Sequence, residues 1–351
     1  MFVAPGRVNL MGDHTDYNQG FVLPMAIDRA CTVSVARGTT PGVRAVSAQL
    51  DGEVRLPIEG SRTPRLVEPS WGRFVAGLLH VLAAAGAVVP PVDLEVSSTV
   101  PAGSGLSSSS ALSVALTLAL TDAAGLELGR VEAAKLALAA EVAATGVPGG
   151  LMDQLASLYG EEGHALLIDC RSNDVTPVVI SDRIAVVVVH SGLPRTLAGS
   201  AYAERRAECE AVAARLGRDS LRDVTAKQVA DEPRARHVVA ENARVLETAA
   251  ALPQGDLSVL GPLLLASHAS LRDDYEVSTP ELDLLVDLLV EAGAAGARLT
   301  GAGFGGCVVA LVQRNHADDV AAKVTRRYAD ATGLSPHAFV AHAVDGARKL
   351  P

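Results

Sequence analysis

The sequence predicts an α+β protein of two domains, and three observations carry that expectation. The chain has 351 residues, against roughly 100–200 per domain. Strand-like runs gather towards its two ends, with helical periodicity between them. A continuous β-branched run, RIAVVVVHSG over 183–192, reads as a strand buried on both faces and marks the domain change, giving domains 1–184 and 185–351.

In the first domain FVLPMAI, CTVSVA and VDLEVSSTV are short runs separated by Gly, Pro and Asp, the pattern of strands between turns. A helix from Trp71 to Ala85 interrupts them, because Phe74, Leu78, Leu79 and Leu82 recur at helical spacing. Ala/Leu-rich helices follow from Ala111 to Ala124, starting near Ser108, and from Val131 to Ala144. The irregular segment TGVPGGLMDQ then leads to the strand ALLIDC. The second domain is first helical, over 201–216, 235–251, 260–275 and 280–292, the last opening with Pro-Glu at a helix start. Its end restores strands: ARLTG, CVVALV and AFVAHAV flank a helix from Ala317 to Ala331, a β-turn-β-α-β closing unit.

Composition narrows the function. Apolar residues make up 49% and charged residues 20%, which excludes disordered, collagen-like and coiled-coil chains. Five Phe, five Tyr and one Trp leave cores of Leu, Val and Ala and little surface on which bases could stack. A net charge of −10 argues against broad nucleic-acid or membrane surfaces. The basic residues are mostly Arg, with four Lys. Four cysteines without C-x-x-C spacing suggest neither a zinc site nor a disulfide framework, so a cytoplasmic setting is expected. No signal-type amino terminus is present, and no stretch approaches the roughly 20 apolar residues of a membrane span.

Three segments concentrate chemistry. Gly301-Ala-Gly-Phe-Gly-Gly306 fits the G-x-G-x-x-G pattern, but the β-branched CVVALV that follows is not the helix a dinucleotide site needs. It reads as a glycine loop between strands that lets backbone come close. Pro101-Ala-Gly-Ser-Gly-Leu-Ser-Ser-Ser-Ser110 joins a strand to a long helix. Gly103 and Gly105 permit positive φ, so successive N–H groups can face one concavity at a helix start, an anion cradle without the Lys of a Walker loop. Pro5-Gly-Arg-Val-Asn-Leu-Met-Gly-Asp-His-Thr-Asp-Tyr-Asn18 packs Arg7, Asp13, His14 and Asp16 beside an apolar strand. Such groups suit a polar, hydroxylated ligand, since a carboxylate accepts from adjacent hydroxyls.

PGRVNLMGDHTDYNQGFVLPMAI resembles the signature of the galactokinase family. VPAGSGLSSSSAL and RLTGAGFGGCVVAL resemble the phosphate loop and third motif of the wider family of galactokinase, homoserine, mevalonate and phosphomevalonate kinases. TGVPGGLMDQ, LAGSAYAERRAECE, RHVVAENARVLETAAAL and SHASLRDDYEVSTPELDLLV are also similar to galactokinase stretches, so the likeness spans nearly the whole chain. The resemblance implies an amino-terminal domain of ribosomal-protein-S5 type, a ferredoxin-like carboxy-terminal domain, and ATP-dependent phosphorylation of the anomeric hydroxyl of galactose. By motif position, Asp153 and Arg7 would be catalytic. Asp13, His14, Asp16, Gly149, Gly150 and Tyr202 would bind sugar. Gly103, Ser104, Gly105, Leu106, Ser107, Ser108 and Ser109 would bind ATP, and Ser109 with Glu141 would hold Mg²⁺. The implied protein is a monomer whose partner is a sugar.

The chain departs from the family pattern at Asp13, where a Glu holding the C6 hydroxyl is usual, at Gly149, usually Cys or Ser, and at Ser110, usually Ala. Met1 stands almost on the first motif, so the family's leading segment is either absent or upstream. Competing expectations are a related kinase acting on galacturonate, arabinose, fucose or an N-acetylhexosamine, and a catalytically silent sugar sensor. His190 and His268 lack ligand-like spacing and are expected to be packing or surface residues.

Overall fold

The computed structural model describes residues 1–193 and 198–351, leaving aside the side chains of residues 198–200. The chain starts with strand β1, Phe2–Asn9, continues through β2, Phe21–Val22, and a long β3, Pro24–Arg37, and then forms the hairpin β4, Val43–Ser47, and β5, Glu53–Leu56. Helix α1, Gly72–Ala84, precedes β6, Val92–Ser98. Most of FVLPMAI and the whole of CTVSVA therefore form one strand rather than two. Strand β1 escapes the alternation rule because it contains Pro5 and Gly6. Its pairing with β3 shifts register between Pro5 and Arg7, and such an irregularity accommodates a residue with no N–H to donate.

Helices α2, Ser108–Ala123, α3, Arg130–Thr145, and α4, Met152–Tyr159, come next, followed by β7, His164–Asp169, β8, Asp174–Val179, and β9, Ile184–His190. Helix α4, in the segment read as irregular, begins two residues after Gly150, once the glycines have turned the chain. Then come α5, Ala198–Arg215, α6, Pro233–Ala251, α7, Leu257–Asp273, and α8, Pro280–Glu291. The chain closes with β10, Gly296–Thr300, β11, Cys307–Gln313, α9, Ala317–Thr332, β12, His337–Ala341, and β13, Arg348–Lys349.

These strands build a six-stranded sheet, β13-β1-β3-β6-β4-β5, a three-stranded sheet, β2-β7-β8, and a four-stranded sheet, β10-β11-β9-β12. The four-stranded sheet is antiparallel throughout and, with α9 between β11 and β12, realises the expected β-turn-β-α-β unit. Its central strand β9 divides by the two-residue period of a strand. Ile184, Val186 and Val188 face one apolar core and Ala185, Val187 and Val189 the other. Strand β11 does the same, with Cys307, Val309 and Leu311 opposed to Val308, Ala310 and Val312. Both cores are largely Leu, Val and Ala. Because β9 and β11 belong to both, the two halves of the molecule pack as one body. Among the described residues no helix is long and apolar enough to cross a membrane.

A sheet shared in this way should couple the unfolding of the two cores. Val187→Ala and Val188→Ala, on opposite faces of β9, are each expected to cost about 2 kcal/mol. In urea, Val187→Ala should shift the fluorescence midpoint of Trp71, which sits in the other core, as far as the circular-dichroism midpoint; a stationary Trp71 transition would show the cores to be independent.

Candidate active site

A cleft of about 410 Å³ opens where the ends of β1, the α2 and α4 starts, α3, α5 and the turn between β10 and β11 converge. Arg7, Asp13, His14, Asp16, Gly103, Gly105, Ser107, Ser108, Ser109, Glu141, Gly149, Gly150, Asp153 and Tyr202 all line it, together with Gly301 and Ala302. Two residues of the expected set do not. Ser104 and Leu106 are each 1% exposed. The Ser104 hydroxyl donates to the carbonyl of Pro101 at 2.7 Å, and Leu106 joins the apolar core, so their side chains serve the loop's own structure.

At the centre Arg7 and Asp153 form a bidentate pair, Nε to Oδ1 at 2.7 Å and Nη2 to Oδ2 at 2.8 Å. The third guanidinium nitrogen donates to the carbonyl of Gly105 at 2.7 Å, which ties the pair to the serine-glycine loop. Burial alone would lower the Arg7 pKa, yet Asp153, with Asp13 and Asp16, outweighs it and the guanidinium is held above its ordinary value. The Ser107 hydroxyl donates to the remaining lone pairs of Asp153 Oδ2. Thus three hydrogen bonds fix the carboxylate in place.

The serine-glycine loop takes the expected backbone. Gly103 and Gly105 have φ of +70° and +84°, and Ser107 itself lies in the left-handed region at +59°, an uncommon conformation for a residue with a side chain. Ser107 is the N-cap of α2 but makes no capping bond with its side chain, because the hydroxyl is turned to Asp153. The first N–H groups of α2 therefore remain available to an anion at the positive end of the helix.

Beside this loop Glu141 Oε2 accepts from the Ser110 hydroxyl at 3.0 Å and from Gln154 Nε2 at 2.8 Å. Burial raises the Glu141 pKa, so an arriving cation would favour its charged form. No group of three or more His, Cys, Asp or Glu side chains among the described residues could hold a metal. A divalent ion bridged to phosphate oxygens needs fewer protein ligands, and Glu141 with Ser109 fits that case.

On the other side of Asp153 lie the groups expected to face a sugar. A Cβ on Gly150 would overlap the Asp16 carboxylate, whereas a Cβ on Gly149 would meet Leu138 Cδ1 at an ordinary 3.4 Å; position 150 needs glycine and position 149 does not. Burial, then the charge of Asp153, raises the Asp16 pKa to about 7. Asp13 Oδ1 accepts from Asn9 Nδ2 at 3.0 Å and from the N–H of Gly301 at 3.1 Å. Its Oδ2 stands 2.7 Å from the guanidinium of Arg298. Arg298 also faces Glu241 at 3.5 Å, and Glu241 accepts from the Gly12 N–H, the Ser267 hydroxyl and Arg244.

Arg298, Glu241, Asn9 and Gln154 were not nominated by sequence, and Ser110 was noted only as an added hydroxyl. Arg298 had a visible signal, a charge inside the apolar run GARLTG. Glu241 lies in a stretch noted as family-like without a role. His268 is satisfied by Asp283 at 3.0 Å and the Leu299 N–H at 3.4 Å, and His190 accepts from the Gly192 N–H, as expected of packing histidines.

Asp16 makes a testable prediction. An unfolded Asp titrates near 3.9, so between about pH 4 and 7 the native state binds the extra proton, and stability falls as pH rises through that window. Asp16→Asn should unfold at higher urea than the parent at pH 8 and at the same urea below pH 4; a variant less stable at pH 8 would contradict the raised pKa.

Comparison with known proteins agrees with this geometry. The galactokinase galactose-binding signature matches residues 1–37, the GHMP kinases N terminal domain residues 73–161, and the GHMP kinases C terminal domain residues 248–330. A galactokinase of Roseiflexus sp. is 44% identical over 99% of this chain and 92% of its own, and one of Mycobacterium tuberculosis is 43% identical over 98% and 97%. The crystal structure of Lactococcus lactis galactokinase complexed with galactose superposes with a TM-score of 0.92 at 32% identity, covering 99% of this chain and 94% of that one. Methanococcus jannaschii mevalonate kinase shares the fold, with a TM-score of 0.72 at 21% identity over 98% of both chains. The α+β, two-domain architecture is that of these kinases, and the chain belongs to the galactokinase family of the GHMP kinases.

Proposed function

We propose that this chain phosphorylates the anomeric hydroxyl of galactose with ATP, dividing the work among residues as follows. The loop from Gly103 to Ser109 and the start of α2 take the phosphates. Asp153 and Arg7 act at the reacting hydroxyl. Asp13, His14, Asp16, Gly149, Gly150 and Tyr202 bind the sugar. Ser109 and Glu141 would hold Mg²⁺, which supplies neutralisation of phosphate charge. The active unit is a monomer, with its amino-terminal domain ending near residue 184.

The observation that carries this reading is the position of Asp153. Its carboxylate is bound by Arg7 and by Ser107, and so stands at the junction between the anion-facing loop and the hydroxyl-facing cluster. Phosphoryl transfer passes through a loose transition state, so placing the attacking oxygen in line matters more than early proton removal. Asp153 orients the sugar hydroxyl and accepts its proton as the new bond forms, while Arg7, anchored to the Gly105 carbonyl, steadies the transferring charge. The charges come from a helix start, one arginine and the metal, which suits a chain with few lysines. Asp153→Asn should lose turnover by about 10²-fold or more while ATP affinity changes little; retained turnover in that variant would refute the assignment.

Substrate choice turns on the C6 end. Asp13, shorter than the usual Glu, has Oδ1 bonded by Asn9 and Gly301 and Oδ2 paired in charge with Arg298 but without a hydrogen bond, and Arg298 is itself neutralised by Asp13 and Glu241, which disfavours a uronate. An assay of ADP release over galactose, fucose, arabinose, galacturonate and N-acetylgalactosamine tests this, with the product checked for phosphate at C1. Galactose is expected to turn over with the highest kcat/KM, and silence with galactose alongside turnover of another sugar would overturn the proposal.

A further inference from the structure

Aromatic residues are scarce in this chain, yet three of its five tyrosines gather at one histidine. The rings of Tyr17, Tyr202 and Tyr275 lie 6.0, 5.6 and 4.5 Å from that of His14. A hydrogen-bonded row runs from His14 through two of them, Tyr17 and Tyr275. His14 Nδ1 is 2.8 Å from the Tyr17 hydroxyl, which is 2.7 Å from the Tyr275 hydroxyl, which is 3.2 Å from the Cys209 sulfur. Cys209 and Tyr275 have no exposed surface. Their elements are far apart in sequence: Tyr17 follows the amino-terminal motif, Cys209 is on α5, and Tyr275 lies just beyond α7 in LRDDYEVSTPEL, a stretch to which the proposed mechanism assigns no role.

We propose that the row Cys209–Tyr275–Tyr17 fixes the tautomer of His14, making Tyr17 and Tyr275 positioning residues for sugar recognition; this rests on the reading of His14 as a sugar-binding residue. Three hydrogens serve three links, one on the thiol and one on each phenol. The row could run in either direction, and acid and base strength decide which. A phenol O–H donating to an imidazole nitrogen is the best-matched pair available, whereas the reverse direction ends on sulfur, a weak acceptor. So the thiol donates to Tyr275, Tyr275 to Tyr17, and Tyr17 to Nδ1. The hydrogen bond at one ring nitrogen then places the proton on the other, Nε2.

The surroundings keep the row intact. Burial pushes the pKa of both phenols well above the ordinary value and that of the thiol up to about 11, so all three stay protonated at neutral pH. The guanidinium of Arg206 lies 5.8 Å from the centre of the Tyr17 ring, and Arg205 donates to the Tyr275 carbonyl at 2.8 Å. His14 itself is held at φ +67°, a conformation that persists only where its neighbours over-determine it. With its tautomer fixed, the His14 ring keeps one orientation at the wall of the cleft that it shares with Asp16.

The test uses the full chain labelled with ¹⁵N-histidine, the His14 signals being assigned by their loss in His14→Gln. The neutral His14 is expected as the Nε2–H tautomer, and Tyr17→Phe should convert it to a mixture or to Nδ1–H. Tyr275→Phe should raise the KM for galactose roughly three- to tenfold, the worth of one hydrogen bond, with the KM for ATP nearly unchanged. An Nδ1–H tautomer in the parent, or equal rises in both KM values, overturns the relay. If the parent turns over no galactose, the sugar-kinase reading fails instead, and the ¹⁵N tautomer still decides the relay.

Discussion

Arg298 buries a full positive charge with no exposed surface, a state that several kcal/mol of lost solvation per ion would forbid without partners. Asp13 and Glu241 supply them. Glu241 is further held by Arg244, the Ser267 hydroxyl and the Gly12 N–H. Although burial works against its charge, these cations bring its pKa down to about 2. Burial prevails at Asp13, whose pKa is raised in spite of Arg298. The segment that follows β1 has little regular structure of its own, one short 3₁₀ turn at Asp16–Asn18. Its shape is set by what lies opposite: Arg298 and the Gly301 N–H on Asp13, Thr300 on Asn9, and His237 on the Asp13 carbonyl.

That anchoring lets the cleft hold unlike charges close together. Asp16 and Asp153 face one space, and their mutual repulsion adds to the burial that raises the Asp16 pKa. Arg7 compensates on the Asp153 side and is fixed to the loop by the Gly105 carbonyl. The serine-glycine loop thus has two tasks. Its backbone leaves N–H groups open at the start of α2, and Ser107 gives up its capping bond to hold Asp153. A cap is commonly worth about 1 kcal/mol of helix stability, so the local rule is broken where the site requires it.

The net charge of −10 is compatible with a phosphate ligand for the same reason. Charge over the whole surface governs broad binding, whereas the cleft depends on a helix start, a few fixed dipoles and one arginine. The sheet shared by both cores gives these pieces a common rigid base, since β11 ends the Gly301 turn and β9 runs beside it.

The sequence by itself determined the helices other than α4, because apolar spacing records which face of a helix is buried, and it determined the closing β-turn-β-α-β unit and the double burial of β9. It also determined most of the site, since glycines with positive φ and dense charges beside an apolar strand leave local marks, and the motif likeness named their roles. It missed β1, β4, β5, β8 and β13, which are short, edge-lying or broken by Pro5, so that pairing rather than alternation makes them strands. The loop residues Ser104 and Leu106, grouped by sequence with the phosphate cradle, turn their side chains inward. Only the tertiary structure decided that Asp13 is engaged by Arg298, that Ser107 serves Asp153 rather than its helix, and that Tyr275 reaches His14 from 261 residues away. Each of these contacts joins segments distant in the chain, and no local pattern in either partner encodes the other.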